Sequence, residues 1–216
     1  LGAASDEGAE EDFTIPALIE KHNVTHFQCT PSMATMLVSD PESKKSLGQL
    51  KHMMVGGEAL TPALAESLLT AVNDRVTNMY GPTETTIWSS TSDVKLNQAV
   101  TIGTAIANTQ IYIVDNNLKA LPAGVAGELV IGGDGVVRGY YNRPELTSER
   151  FVEDFKLTPS SAAQRVYRTG DLARFDSDGQ LACLGRIDHQ VKIRGYRIEL
   201  GEIEALLQAH DSVREC

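Results

Sequence analysis

The stretch "NMYGPTETT", Asn78 to Thr86, packs an amide, an aromatic ring, a Gly-Pro turn, hydroxyls and a carboxylate into one short segment. A planar base needs an aromatic face and a polar edge contact, which Tyr80 and Asn78 offer. A nucleotide phosphate needs short donors, which Thr83 and Thr85 offer. Its magnesium needs a hard oxygen ligand, which Glu84 offers. The same residues also suit an ordinary strand-to-helix turn around a buried tyrosine.

Three further segments carry charged groups in patterns. Asp171, in "YRTGDLARF", follows a glycine at a strand end, where a carboxylate can accept two hydrogen bonds from a ribose diol or simply make an Asp turn. "GRIDHQVKIRGYRIELGEIE" interleaves Arg186, Asp188, Lys192, Arg194 and Arg197 with β-branched residues. That alternation fits strands with one charged face, and by itself it reads as a solvated hairpin. In "GELVIGGDGVVRGYYNRPELTSERF" the glycines at 133, 135 and 139 do not make GxGxxG, so no dinucleotide site follows. The GxxxxGK[ST] loop, a Ser-His-Asp or Cys-His order and metal-ligand spacing are all missing.

The elements that position these groups change character along the chain. "FTIPALIEKHN", "PSMATMLVSD" and "TPALAESLLTAVN" read as helices, the last with Thr61 as N-cap and Pro62 in the first turn. "VTHFQ", "KHMMVGG" and "RVTNMY" read as strands between them, and this βαβ rhythm implies a largely parallel sheet. Ligands of such sheets bind at the carboxyl ends of the strands, where "VGGEAL" and "NMYGPTE" lie. From about Ile102 the chain turns β-rich. "TQIYIVD-NN-LKAL" reads as a hairpin on a two-residue Asn turn, "LARFD-SDG-QLACLGR" as another, and "RVYRTGD" and "HQVKIRGYRIEL" as short strands. Single helices are expected near "LTSERF" and from Gly201 in "GEIEALLQAH".

With 216 residues, 42% of them hydrophobic, the chain can bury a core. A formal charge of -10 argues against nucleic acid or an anionic membrane as partner. There is no charged-then-apolar leader and no apolar run of membrane length, so a cytoplasmic protein is expected. Cys29, Cys183 and Cys216 are far apart and read as reduced thiols.

Taken in order, "GGEAL", "NMYGPTET", "GELVIGGDGVVRGYYNRPELTSERF", "YRTGDL" and "GRIDHQVKIRGYRIELGEIE" resemble the later core motifs of the adenylation domains of nonribosomal peptide synthetases. The resemblance runs from about Ile15. Acyl-CoA synthetases and luciferases share the outline, but "RIELGEIE" and "YGPTET" are closer to the peptide synthetases. It implies an α/β fold: a βαβ portion over 1–100, a β-rich, barrel-like portion over 101–187, and the start of a C-terminal α+β lid lobe over 188–216. It also implies a ligase that activates a carboxylic or amino acid with ATP and Mg2+ as acyl-adenylate. The acyl group then passes to the phosphopantetheine thiol of a carrier domain, among neighbouring synthetase modules, with no nucleic acid or membrane partner.

By the same resemblance Tyr80 stacks on adenine, Asn78 meets its amino edge, and Gly56 and Gly57 bring backbone close to the other face. Thr83 touches the α-phosphate and Glu84 ligates magnesium. Asp171 holds the ribose hydroxyls with Arg186 beside it. Lys192 resembles a ribose-contacting lysine, Asp188 the hinge of the small lobe, and Gly195 the glycine beside the pantetheine tunnel. The pocket-wall positions are Gln28, Met54, Gly56, Met79, Ile87 and Trp88, which suit a hydrophobic or aryl acid.

The family's Gly/Ser/Thr-rich phosphate loop and the aspartate that grips a substrate amino group are expected upstream of Leu1. The catalytic lysine is expected beyond Cys216, directly or after an inserted domain. The segment alone is therefore expected to be inactive. An acyl-CoA ligase and a truncated, non-catalytic nucleotide-binding or docking module are the alternatives.

Overall fold

The computed structural model describes residues 12–188, 190–210, 212, 213 and 215. The acidic opening stretch and Cys216 lie outside them.

Helices α1 (Ile15–His22), α2 (Pro31–Ser39), α3 (Pro41–Leu47) and α4 (Pro62–Ala71) all begin alike. Thr14, Thr30, Asp40 and Thr61 each stay extended and cap the next turn through a side-chain oxygen, with a proline in the first turn. Helix α3 was not anticipated. Asp40 both ends α2 and caps α3, accepting from the Ser43 N–H at 2.8 Å.

These helices pack Leu37, Leu47 and Leu68 on Met53, Val55 and Val76 of the first sheet, forming the first core. That sheet runs β1 (His26–Cys29), β2 (His52–Gly56), β3 (Arg75–Tyr80), β4 (Ser90–Asp93), β5 (Thr104–Ala105). It is mixed, not largely parallel: β1, β2 and β3 are parallel, but β4 and β5 are antiparallel. The segment 81–89 between β3 and β4 holds one 3-10 turn, Thr83–Thr85, and no crossover helix. It is shorter than the dozen or more residues a parallel return needs.

The second sheet is antiparallel and curled into a half-barrel, in the order β10 (Leu181–Arg186), β9 (Gln164–Phe175), β7 (Gly127–Gly133), β6 (Thr109–Val114), with β8 (Phe151–Phe155) also on β9. Leu129, Ile131, Ala173 and Leu181 are its core. The expected hairpin after β6 shrinks to a single bridge, Val114 to Ala120, and β6 pairs with β7 instead. The Asp115 carboxylate takes the N–H groups of Asn117 and Lys119, and Leu118 adopts a left-handed backbone, so the turn is wider than two residues. "RVYRTGD" and "LARFD" form one strand, β9. Helix α5 (Pro144–Arg150) passes directly into β8 at Phe151. Strands β11 (Val191–Ile193) and β12 (Tyr196–Ile198) turn through Arg194 and Gly195, both at positive φ as a tight hairpin requires, and α6 (Leu200–Gln208) follows. No helix among the described residues is long and apolar enough to cross a membrane.

The two sheets are joined where the site forms. Ile102 donates to the Leu181 carbonyl at 2.9 Å, and Leu181 donates back to Gly103 at 2.8 Å. Gly103 has φ +76, and a Cβ there would lie 1.8 Å from the Thr91 carbonyl oxygen. Gly179 is also left-handed, φ +78, but faces open space. Gly179→Ala should therefore cost about 1 kcal/mol, backbone strain alone. Gly103→Ala should cost at least twice that, about 2 kcal/mol or more, because backbone must move. Urea unfolding of the two variants decides it; equal losses would show that the junction tolerates a side chain.

Candidate functional site

Asp171 is presented by a bulge in β9. The register with β7 slips between Glu128 and Val130, and Gly170 takes φ +72. The Glu128 carboxylate accepts from the Gly170 N–H at 3.2 Å, and the Thr169 hydroxyl accepts from the Asp171 N–H at 2.9 Å. A second slip, between Cys183 and Gly185 of β10, sets Arg186 opposite Asp171. A Cβ on Gly170 would stand 3.0 Å from the Arg186 guanidinium and 3.1 Å from Asp188, so glycine gives the cluster its room.

The result is a chain of charged groups. The Tyr80 hydroxyl donates to Asp171 Oδ2 at 2.5 Å, and Arg186 Nη1 donates to Asp171 Oδ1 at 2.9 Å. Arg186 also grips both oxygens of Asp188, from Nε at 2.7 Å and Nη2 at 2.5 Å. Burial alone would weaken the guanidinium's hold on its proton, but the two carboxylates outweigh it and raise its pKa. Burial and the Asp171 charge both push the Tyr80 phenol well above its usual pKa, so it remains a donor.

A cleft of about 350 Å3 opens here, at the carboxyl ends of β2 and β3. Gly57, Asn78, Tyr80, Asp171, Arg186 and Lys192 line it. A smaller one of about 190 Å3 shares Gly57, Tyr80, Asp171, Arg186 and Lys192 and adds Thr83, Ile87, Trp88 and Gly195. Gly57, at φ +92, is followed by Glu58, whose carboxylate holds the start of α2 through the Ser32 N–H (3.0 Å) and hydroxyl (2.6 Å). Asn78 is buried, and its amide nitrogen donates to the Thr101 carbonyl at 2.8 Å.

Glu84 sits in the 3-10 turn, 6% exposed, behind the clefts and lining neither of them. Its Oε1 accepts from the Tyr140 hydroxyl and from Arg197 Nη1, each at 2.7 Å, while Oε2 is buried without a partner. Burial would raise its pKa; the Tyr140 bond and the Arg197 charge prevail and hold it below the ordinary carboxylate value. Thr86 and Ile87 follow at φ 62 and 74, a left-handed backbone rare for a β-branched pair.

The pocket-wall positions are only partly gathered. Strand alternation and register put Gln28, Met54, Gly56 and Met79 on the sheet face opposite the first core. Trp88 lies against Gly56, where a Cβ would approach the indole to 2.6 Å. Ile87 is 59% exposed, and Gln28, Met54 and Gly56 lie outside both clefts. Sequence reasoning did not assign Tyr140, Gln190 or Arg197 to the site. Tyr140 stands in a quoted motif and Arg197 in the charged strand pattern, but their contact with Glu84 spans 56 and 113 residues.

Residues 5–141 match the family described as AMP-binding enzyme. The chain is 46% identical over 215 residues to the dimodular nonribosomal peptide synthase of Bacillus subtilis (strain 168), covering 98% of this chain and 9% of that protein. It is 41% identical to bacitracin synthase 1 of Bacillus licheniformis, covering 97% of this chain and 4% of that protein. It thus spans a small part of each. Among solved structures, a holo nonribosomal peptide synthetase protein with adenylation and carrier domains, bound to a vinylsulfonamide inhibitor, superimposes with TM-score 0.86 at 31% identity, covering 98% of this chain and 37% of that one. A four-domain synthetase bound to AMP and glycine gives 0.73 at 43% identity, covering 91% and 14%. A mixed sheet carrying helices, joined to a curled antiparallel sheet, is the adenylation-domain fold. The chain belongs to the AMP-binding enzyme family and is a segment of an adenylation domain of the nonribosomal peptide synthetase type.

The Arg186 pair, the largest cause, holds the Asp188 carboxyl below its ordinary pKa. A depressed folded-state pKa stabilises above the unfolded value, about 4, and the gain fades as pH falls through the folded value. Asp188→Asn should therefore be less stable than the parent above about pH 4, with the gap closing in more acid solution. Urea midpoints between about pH 3 and 7 read this out; a gap independent of pH would show that the ion pair contributes nothing.

Proposed function

We propose that this segment holds the adenosine of ATP and one metal-binding carboxylate in an adenylation domain. In the whole synthetase, an oxygen of a carboxylic or amino acid attacks the α-phosphorus and pyrophosphate leaves. A carrier's phosphopantetheine thiol then attacks the acyl carbon, and AMP leaves with loss of the thiol proton. The observation that carries this reading is the Tyr80–Asp171–Arg186 constellation, lining a 350 Å3 cleft beside the Gly56-Gly57 backbone. Each Asp171 oxygen keeps a lone pair for a ribose hydroxyl. The Asn78 amide oxygen is the atom suited to an adenine amino group, since its nitrogen is engaged by Thr101. Thr83 and Lys192 line the smaller cleft, and in this reading they serve the α-phosphate and the ribose.

The residues fit a divalent cation. Glu84 Oε2 is a buried carboxylate oxygen with no partner. No group of three or more His, Cys, Asp or Glu side chains is placed to hold a metal among the described residues, as suits magnesium, which takes one or two carboxylates and completes its shell with phosphates and water. When bound, the ion would neutralise phosphate charge. What the chain itself does is fix the base, the ribose and that carboxylate relative to one another.

The three segments, 1–100, 101–187 and 188–216, divide the work in this reading. The first supplies the base site and pocket wall, the second the ribose carboxylate, and the third a mobile lobe in a cytoplasmic assembly line. Asp188 is its hinge and Gly195 lies beside the thiol's path. Gly195 lines the smaller cleft and approaches Thr30, whose methyl would be 3.1 Å from a Cβ there, which supports this part of the reading.

In the complete enzyme, Glu84→Gln should lower substrate-dependent ATP–pyrophosphate exchange by about 10- to 1000-fold, the loss of one electrostatic stabiliser. An unchanged rate with an unchanged magnesium requirement overturns the assignment. Trp88→Ala should broaden the range of acids toward larger ones. One methylene in such a pocket is worth about 1–3 kcal/mol, so broadening and not a clean switch is expected. An unaltered ranking of acids in the exchange assay would make Trp88 a packing residue.

A further inference from the structure

The segment "GVVRGYYNRPELTSERF" has no part in the reading above, yet it is tied to Glu84 at several points. The Val137 N–H donates to the Glu84 carbonyl at 3.0 Å, and the Thr86 hydroxyl donates to the Gly135 carbonyl at 2.7 Å. Gly135 comes so close that a Cβ would stand 2.8 Å from the Thr85 carbonyl oxygen. Arg165 donates to the carbonyls of Val137 and, at 2.9 Å, Arg138, holding the loop from β9. Gly139, at φ +135, lets the Thr147 hydroxyl accept from the Tyr140 N–H at 3.0 Å. The Tyr140 ring meets Phe151 edge to face, with centroids 5.6 Å apart. All of this aims one group, the Tyr140 hydroxyl, at Glu84 Oε1.

We infer that Tyr140 is the positioning residue for Glu84: by donating to one carboxylate oxygen it turns the other, unpartnered one toward the divalent cation that accompanies ATP. This rests on the functional reading of Glu84 above. Oε1 carries two donors and the buried Oε2 none. A bare oxygen is not peculiar to Glu84, since Glu58 leaves Oε1 bare while its Oε2 holds Ser32; what singles out Glu84 is the loop built to present Tyr140 to it. The two donors also differ in origin. Arg197 comes from β12, beyond Asp188, and leaves Glu84 if that lobe turns away. Tyr140 belongs to the same body as Glu84 and stays. It is therefore the donor that fixes the carboxylate in every lobe position, as partners of metal ligands do.

Tyr140→Phe removes only the O–H and keeps the ring on Phe151. In the complete adenylation enzyme it should raise the magnesium concentration giving half-maximal pyrophosphate exchange by about 10-fold or more, with the rate at saturating magnesium changed far less. The affinity for Mn2+ as the ATP complex, read by calorimetry without turnover, should fall by the same factor. In a Glu84→Gln background, Tyr140→Phe should have no further effect, because its action runs through that carboxylate. A normal magnesium requirement in Tyr140→Phe beside an impaired Glu84→Gln enzyme overturns this inference alone. Additive losses in the double variant also overturn it, making Tyr140 a structural support. A Glu84→Gln enzyme with unchanged magnesium dependence overturns the functional reading, and this one with it.

Discussion

One guanidinium holds the site together. Arg186 divides its donors between Asp171, which belongs to the second sheet, and Asp188, which stands between that sheet and β11. Through Asp171 it also fixes Tyr80, at the end of the first sheet. At 19% side-chain exposure the cation is largely withdrawn from water, and without it two carboxylates would face each other uncompensated. Much local geometry serves this contact. Two register slips, a left-handed glycine and a buried Glu128 all act within a few residues of it.

The contacts made by Glu84 obey a different constraint. A buried acid must be neutralised or must neutralise something. Here one oxygen has both lone pairs taken and the other is bare, beside backbone strained at Thr86 and Ile87. Strain of that kind persists only where the surroundings enforce it. The loop from Gly133 to Asn142 supplies the enforcement with backbone contacts, and Gly135 is what lets it approach Thr85.

Much of this was legible in the sequence because the signals were local. A threonine with a following proline marked α4, Pro31 marked the start of α2, and "RVTNMY" coincides with β3. The five ordered motifs pointed to the family. What escaped was long-range or masked by ambiguous chemistry. Helix α3 is polar, and its Asp-Pro start looked like the end of α2. Gly170 looked like a break between two strands, whereas it is a bulge inside one. The short return after Tyr80 reverses β4, and strand direction leaves no periodic trace. The site's decisive contacts, Tyr80 with Asp171 and Glu84 with Arg197, join residues 91 and 113 apart. The pocket wall was named from the resemblance, and its four sheet residues do share a face. Gln28, Met54 and Gly56 nevertheless lie outside both clefts.

Strand β9 has neighbours on both edges on either side of its bulge: β7 on one side, and β8 and then β10 on the other. A strand paired on both edges cannot fray, and its amides exchange with solvent only when the sheet itself opens. Asp171 stands in that bulge, where its N–H goes to the Thr169 hydroxyl and its only strand partner is Arg186 on β10. Its partner Arg186 rides on β10, which closes only one of its edges along its length. The bulge is thus the weak link of an otherwise protected strand, and the side chains of Thr169, Tyr80 and Arg186 hold there what the ladder does not.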